Sequence, residues 1–241
     1  MWDNPQALRQ LANSLFGVSL LLFLFGTVHY MIHMPDFSLN VVRLTAPPQR
    51  VDPALIGDIV SNEIRGNFFT LDIEEVRKAF EKLPWVRKVS VRRHFPWMLE
   101  VEIEEHVALA HWNNDELVNT QGEVFSAESG QLLPRFIGQA ETAAEITKMY
   151  KVFGEQLAPL NQQVVQISLS PRRAWQLRLN NGMVLELGRE QTQERLARFV
   201  AIYPASLGSW TRTINYVDLR YKNGFAAYLP GGVPGAQANR G

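Results

Sequence analysis

Two runs of alternating apolar and charged residues in the stretch Leu83 to Trp112 predict a pair of β-strands. Side chains in a strand point alternately to opposite faces, so each run has two distinct faces. In the first run, one face carries Trp85, Arg87, Val89 and Val91, and the other carries Val86, Lys88, Ser90 and Arg92. In the second run, Leu99, Val101 and Ile103 alternate with Glu100, Glu102 and Glu104. A slip of one residue would bury the glutamates, so the pattern specifies one register.

The residues between the two runs, His94 to Trp97, predict a turn, because Pro96 has no N–H to donate to a sheet. If the two strands pair as a hairpin, Lys88 and Arg92 face the row of glutamates. We interpret that row as a solvated, ion-paired face. The alternative interpretation is that the glutamates are catalytic carboxylates.

An apolar run from Ser14 to Met34 contains no Asp, Glu, Lys or Arg. One helix needs about 20 apolar residues to cross a bilayer, so we predict an uncleaved membrane anchor at 14–34 after a short cytoplasmic segment at 1–13. A cleaved signal peptide and a buried core helix are the alternatives. His29 and His33 share one face of this helix, and we interpret them as interfacial residues rather than metal ligands.

Residues 37–105 predict a small domain in the order strand, helix, helix, strand, strand. The first strand is expected at 37–44, and both helices begin at an aspartate N-cap, Asp52 followed by Pro53, and Asp72. The first helix has an apolar side and is expected to break at Gly66-Asn67; that side consists of Leu55, Ile56, Ile59 and Val60. Both helices are expected to cover one face of a three-stranded sheet.

Residues 106–229 predict a second domain with many short strands and two helices, and residues 230–241 predict a disordered tail. The predicted helices are Glu141 to Leu157 and Gln191 to Tyr203, the second ended by Pro204. The predicted strands are Val107–Trp112, Glu116–Val118, Val124–Phe125, a segment between Leu133 and Gly138, Val164–Leu169, Trp175–Leu179, Met183–Leu187, Ile214–Leu219 and Phe225–Leu229.

Composition narrows the possible functions. The 241 residues include 24 Lys and Arg and 24 Asp and Glu, so no general attraction to nucleic acid is expected. The absence of cysteine excludes disulfides and thiolate metal sites. No phosphate-binding glycine loop or nucleophile elbow occurs, and His106 and His111 are expected on opposite faces of an extended segment. We therefore predict a protein that is not an enzyme and has no catalytic residues, metal, cofactor or small-molecule substrate.

Several motifs in this order resemble those of the FtsQ/DivIB family of bacterial division proteins. They are LPWVRKVSVRRHFPWMLEVEIEEHVALAHW, LVNTQGEVF at Leu117 to Phe125, LPRFIG at Leu133 to Gly138, AWQLRLNNGMVLELGRE at Ala174 to Glu190, ERLARFVAIYP at Glu194 to Pro204, and YVDLRYKNGFAAY at Tyr216 to Tyr228. The resemblance implies an α+β protein with a single transmembrane helix, a small POTRA domain (β-α-α-β-β) at 37–105, and a larger mixed β-sheet domain with flanking helices at 106–229.

The resemblance also implies a function. Members of this family are single-pass proteins of the bacterial inner membrane, with a cytoplasmic amino terminus and a periplasmic bulk, concentrated at the division septum. They link early and late division proteins, bind FtsB directly and FtsL in the periplasm, and contact other membrane division proteins. An anchored POTRA module that chaperones exported envelope proteins is the alternative function, and an envelope hydrolase using Glu102 or Glu104 is a second.

The final strand is the predicted binding site. A last strand often lies at a sheet edge, where unpaired backbone groups can take a partner strand. Tyr221, Phe225 and Tyr228 are expected as apolar anchors and Arg220 as an ionic partner. The resemblance implies the same region, and the predicted partner-binding residues are Arg220, Tyr221, Asn223, Gly224, Phe225, Ala226, Ala227 and Tyr228. Burial of the same aromatic residues in the core is the alternative.

Overall fold

The computed structural model describes residues 5–32, 34, 41–64, 66–95, 97–206, 214–222 and 224–228. The chain divides into two compact units, Met1–Glu105 and His106–Gly241. The predicted fold class is confirmed, since an apolar helix precedes a β-α-α-β-β unit and a larger mixed sheet with helices.

The apolar helix α1 spans Pro5–Ile32 and exposes nearly all of its large side chains. Its stretch Leu8–Ile32 is long and apolar enough to cross a membrane. The helix begins well before Ser14, because the preceding residues include good helix formers such as Leu8 and Arg9 and Pro5 suits a first helical position. His29 stacks on Phe25 with ring centroids 6.0 Å apart, and His33 lies outside the described residues.

The first unit continues with a small sheet covered by two helices. Its elements are β1 (Val41–Leu44), α2 (Pro53–Asn62), α3 (Ile73–Glu81), β2 (Val86–His94) and β3 (Met98–Glu105). Among the described strands the order is β1-β3-β2, with β1 parallel to β3 and β2 antiparallel to it. Both predicted N-caps are confirmed, because the Asp52 and Asp72 carboxylates accept backbone N–H groups of the first helical turn.

Four predictions for this unit were wrong in detail. Helix α2 ends at Asn62 with Glu63 as its C-cap, ahead of Gly66, and Leu55 is exposed instead of joining the apolar side. His94 is the last residue of β2 rather than a turn residue, since it pairs with Met98.

The fourth error concerns Val86, which was predicted on the charged face but is buried. A register shift between Val86 and Lys88 places one extra residue in β2, and such a bulge reverses the alternation of the side chains beyond it. Lys88 and Arg92 do lie opposite Glu104 and Glu100. Nevertheless, the ion pair to Glu104 comes from Arg87, whose Nη1 lies 2.6 Å from the Glu104 carboxylate.

The second unit contains one mixed sheet and two long helices. Its elements are β4 (Ala108–Trp112), β5 (Glu116–Asn119), β6 (Val124–Phe125), β7 (Arg135–Ile137), α4 (Ala143–Leu157), β8 (Val164–Leu169), β9 (Trp175–Leu179), β10 (Val184–Gly188), α5 (Thr192–Ser206), β11 (Tyr216–Asp218) and β12 (Ala226–Tyr228). Among the described strands the order is β12-β11-β10-β9-β8-β7-β4-β5-β6. Short 3-10 helices, Ala140–Thr142 and Ala158–Leu160, flank α4.

Helix α5 continues past Pro204 to Ser206, although Pro204 was predicted to end it. A proline in the last turn removes one backbone hydrogen bond, and this loss is tolerated more easily there than in mid-helix. The strand predicted at 225–229 corresponds to β12, which spans Ala226–Tyr228, and Phe225 lies just before it. Asn223, Leu229 and the predicted tail lie outside the described residues.

The core of the second unit lies between one face of its sheet and helices α4 and α5. Its largest fully buried side chains are Trp112, Phe136, Phe153 and Phe199. Alternation along β9 to β11 directs Leu177, Leu185 and Val217 into this core, so the intervening residues lie on the other face. The packing therefore determines which face of β11 and β12 is turned away from the helices.

Candidate partner-binding edge

Strand β12 occupies one end of the sheet in the described part of the chain, with β11 as its neighbour. The two strands are antiparallel, and their pairs are Tyr216 with Tyr228, Val217 with Ala227, and Asp218 with Ala226. Since Val217 faces the core, Ala227 also faces the helices, and Ala226 and Tyr228 lie on the opposite face. An edge strand without a charged residue has backbone groups that a further strand can pair with.

The three predicted aromatic anchors have different environments. Tyr221 and Tyr228 are 58% and 65% exposed, so both rings are available to a partner. Phe225 packs against the core, and its ring meets Phe199 edge-on at 5.6 Å between centroids. Tyr221 and Tyr228 thus fit the role of contact residues, whereas Phe225 ties the start of β12 to helix α5.

Arg220 is held in place by its neighbour Asp218. The guanidinium donates to both carboxylate oxygens, with Nη2 to Oδ2 at 2.6 Å and Nε to Oδ1 at 2.9 Å. The hydrogen bond from Arg220 lowers the pKa of Asp218 and outweighs burial, which raises it. The same hydrogen bond raises the pKa of Arg220. Asp218 is almost fully buried while the Arg220 side chain is exposed, so the pair holds the guanidinium at a fixed position on the surface.

Gly188 makes room for this arrangement at the end of β10. Its φ of +75° lies in the left-handed region, which favours glycine. A Cβ at this position would lie 2.9 Å from Nη1 of Arg195 and 3.1 Å from Cγ of Arg220. Arg195 is fixed from the other side, because the same Nη1 donates to the carbonyl oxygen of Leu187 at 2.7 Å.

These side chains line an open cleft of about 440 Å³. The arginines of the cleft outnumber its single acid, Glu190, and they are Arg172, Arg189, Arg195 and Arg220. Planar guanidinium groups of this kind bind carboxylates with directed hydrogen bonds. Asp218, which holds Arg220, pairs with Ala226 on the neighbouring strand. The basic cleft therefore lies close to the first residue of β12.

The turn between β11 and β12 is tied to helix α5. Arg198 donates from Nη1 to the carbonyl oxygen of Lys222, next to the exposed ring of Tyr221. The edge strand is therefore connected to the helical layer both through this hydrogen bond and through the contact of Phe225 with Phe199.

The structure brings most of the predicted site residues together. Arg220, Tyr221, Gly224, Phe225, Ala226, Ala227 and Tyr228 form one continuous segment at the edge, and Asn223 lies outside the described residues. Sequence reasoning missed Asp218, Gly188 and the other three cleft arginines. No single motif contains all of them, because Arg172, Gly188 and Arg220 come from different strands and loops.

The described residues contain no group of three or more His, Cys, Asp or Glu side chains that could hold a metal ion. His106 stacks on Phe125 at 4.0 Å between centroids, and its Nδ1 lies 2.9 Å from Nδ2 of Asn119. Glu104 is engaged by Arg87. These contacts give the histidine and the glutamate structural partners.

Comparison with known proteins gives the family. The family model for the cell division protein FtsQ/DivIB C-terminal region matches residues 110–220, and the model for the FtsQ-type POTRA domain matches residues 37–106. The chain belongs to the FtsQ/DivIB family. It is therefore a cell division protein, and α1 fits a single-pass membrane protein of this kind.

Relatives in several bacteria support the assignment over nearly the whole chain. The cell division protein FtsQ of Nitrosospira multiformis is 45% identical over 94% of this chain and 98% of its own length. The FtsQ of Burkholderia pseudomallei is 38% identical over 96% of this chain and 95% of its own length. The FtsQ of Escherichia coli is 39% identical over 67% of this chain and 61% of its own length. The match to the C-terminal family model ends at Arg220, so β12, which begins at Ala226, lies beyond it.

Proposed function

We propose that this member of the FtsQ/DivIB family is a non-enzymatic scaffold of the division machinery that links early and late division proteins. Its amino terminus is cytoplasmic, its POTRA domain (37–105) and larger sheet domain (106–229) are periplasmic, and it concentrates at the division septum of the inner membrane. FtsB is its direct partner, and FtsL belongs to the same complex. The family resemblance supports this role, and the edge position of β12 is the observation that supports the binding mode.

The binding mode is β-strand addition. A segment of FtsB pairs with the open side of β12, so backbone hydrogen bonds set its register while side chains supply specificity. Tyr228 and Tyr221 are exposed beside this edge and provide apolar contact area. The uncharged sequence of β12 leaves the strand open to such pairing.

The arginine cleft supplies the electrostatic part of recognition. Arg220 is oriented by Asp218, and Arg172, Arg189 and Arg195 line the same cleft. We expect an acidic residue of the partner to enter this cleft as its strand pairs with β12. Since exposed ion pairs are screened by salt, binding should weaken as the salt concentration rises from about 0.1 M to 1 M.

The test is capture of the periplasmic part of FtsB by the full-length protein carrying Tyr221→Ala, Phe225→Lys or Tyr228→Ala. We expect the two tyrosine variants to bind at least several-fold more weakly with unchanged circular dichroism, since exposed rings contribute little to folding. Phe225→Lys should weaken both binding and folding, because that ring packs on Phe199.

The matched control is Leu132→Ala, which removes a fully exposed apolar side chain from the loop between β6 and β7. Its binding should equal that of the unmodified protein. Undiminished binding by both tyrosine variants would reject the edge as the site.

A further inference from the structure

An exposed aromatic patch lies at the tip of the β2–β3 hairpin, in the first unit. It consists of Phe69, Phe95 and Trp97, with 45%, 68% and 50% of their surfaces exposed. Phe68 joins the first two, since its ring meets Phe69 edge-on at 5.2 Å and Phe95 edge-on at 5.5 Å between centroids. Grouped exposed aromatic side chains are unusual on a water-facing surface and mark a contact region.

The position of this patch follows from the sheet register. Strand β1 runs parallel to β3, and its first residue, Val41, lies beside Met98, the residue that follows Trp97. The polypeptide therefore enters the small sheet at the end that carries the hairpin tip. Lys88 lies six residues from His94 along β2, roughly 20 Å farther from that end.

The membrane anchor ends close to the same place. Residues 33–40 connect α1 to β1 and can span at most about 30 Å when fully extended. In addition, Nδ2 of Asn67 donates to the carbonyl oxygen of Ile32, the last residue of α1. Asn67 also accepts from the backbone N–H of Phe69, so the loop that carries the aromatic rings is attached to the end of the anchor.

The charge around the patch suits a lipid surface. The segment Arg92 to Trp97 contains two arginines and a histidine but no acid, and the loop from Gly66 to Thr70 contains no charged residue. One acid of the neighbouring strand, Glu100, lies opposite Arg92 and pairs with His94 at 2.7 Å. The Arg92 side chain is exposed, and Arg93 is bound to the carbonyl oxygen of Leu71. Aromatic rings combined with basic side chains are characteristic of protein surfaces that lie at the headgroup level of a bilayer.

We propose that this aromatic patch docks the small domain onto the phospholipid surface from which α1 emerges. Phe69, Phe95 and Trp97 enter the interfacial region, and Arg92 contacts lipid phosphates. Docking adds a second attachment to the membrane beside the anchor, and it holds one end of the three-stranded sheet against the bilayer. The inference rests on α1 being a membrane anchor and is independent of the partner-binding edge.

The test uses the absence of cysteine from the chain, which permits one labelled cysteine at a chosen position. The full-length protein carrying Phe69→Cys or Lys88→Cys is labelled with an environment-sensitive fluorophore and reconstituted in phosphatidylglycerol-containing vesicles. A lipid with a nitroxide group near the headgroup then serves as the quencher. We expect quenching to be several-fold stronger at position 69 than at position 88.

A further variant separates docking from mere proximity to the membrane. Phe95→Ser and Trp97→Ser are combined with the label at position 69, and circular dichroism and thermal unfolding monitor the fold. Docking predicts that quenching at position 69 falls to the level at position 88. Equal quenching at the two positions, or no effect of the serine substitutions, would overturn the proposal. A change at position 69 that appears only when another division protein is added would assign the patch to a protein partner instead.

Discussion

At the scale of single residues, Asn119 and Gly122 explain the LVNTQGEVF motif. The fully buried Asn119 accepts N–H groups of Gln121 and Glu123 at 2.9 Å through Oδ1, and its Nδ2 donates to the carboxylate of Glu123 at 2.7 Å. Gly122 has φ +85°, and a Cβ there would lie 2.5 Å from Cα of Ala144. The motif is therefore a turn pressed against the first turn of α4, with a side-chain amide satisfying its backbone.

Gly122→Ala should lower the free energy of unfolding by at least about 2 kcal/mol, because it combines a left-handed backbone with a clash against α4. Urea unfolding of the purified protein, followed by circular dichroism, measures the change. The matched control is Gly130→Ala, where the added Cβ meets no atom within 4 Å. Equal stability of the two variants would contradict the close approach of the turn to α4.

Glu105 binds the backbone of the loop that follows β1. Its carboxylate accepts the backbone N–H groups of Gln49, Arg50 and Val51 at distances from 2.8 to 3.1 Å. Burial raises the pKa of Glu105, but the three hydrogen bonds together outweigh it and leave the pKa below the ordinary value of 4.5. A lowered folded pKa means that the stabilisation is complete above the ordinary pKa and is lost as pH falls through the folded pKa.

Glu105→Gln should therefore cost about 1 kcal/mol of stability at neutral pH, since a neutral amide oxygen accepts these bonds more weakly. The difference from the unmodified protein should shrink as pH falls below 4.5. Thermal unfolding between pH 3 and pH 7 provides the measurement, given that carboxylates titrate in this range. Glu102→Gln, at an exposed position of the same strand, is the control, and an equal loss of stability in that variant at neutral pH would contradict the role of Glu105.

At the scale of elements, local sequence signals predicted where most helices and strands begin, but fewer of the residues where they end. The N-caps at Asp52 and Asp72 act within two or three residues of themselves, so they can be recognised without the fold. The bulge at Val86 depends on the pairing of β2 with β3, and the continuation of α5 beyond Pro204 depends on the proline falling in the last turn of the helix. The exposure of Leu55 also depends on the fold, because the neighbouring elements leave 41% of its surface exposed.

Helix α3 offers a direct test of cap strength. The Asp72 carboxylate accepts the N–H groups of Glu74 and Glu75 at 2.8 and 3.3 Å, so Asp72→Ala should destabilise the first unit by about 1 kcal/mol. Hydrogen exchange read by mass spectrometry should show faster exchange in the first turn of α3. Lys78→Ala, on the exposed side of the same helix, serves as the control, and faster exchange in that variant would point to general fraying instead.

At the scale of the whole molecule, the chain builds two separate buried clusters. The smaller contains Val76, Phe80, Leu99 and Val101, and the larger contains Phe136, Phe153 and Phe199. Each cluster draws its residues from one unit, 1–105 or 106–241. Domain-sized units with their own cores are expected to unfold as separate cooperative transitions.

Phe80→Ala and Phe153→Ala should each remove about 3 to 5 kcal/mol, because both rings are fully buried. Hydrogen exchange should show loss of protection confined to the unit that carries the substitution. An exchange pattern in which either substitution loosens both units equally would refute the independence of the two cores.

Some features of this protein follow from its sequence alone, because their causes are local. The apolar run of α1, the helix caps, the alternation of the hairpin and the uncharged last strand were all predicted, and the family was recognised from motifs in their order. Neighbouring residues along the chain supply the physical causes of these features, namely hydropathy, side-chain reach and periodicity.

The tertiary structure decided those features whose residues lie far apart in the sequence. Pairing of β4 with β7, and of β10 with β11, sets an order that leaves β12 at one end of the sheet among the described strands. Packing separated Phe225, against the core, from Tyr228, in solvent, although both are aromatic residues of one short segment. The arginine cleft and the aromatic patch at the hairpin tip likewise form only when distant segments meet, since burial and charge there depend on neighbours that no local pattern specifies.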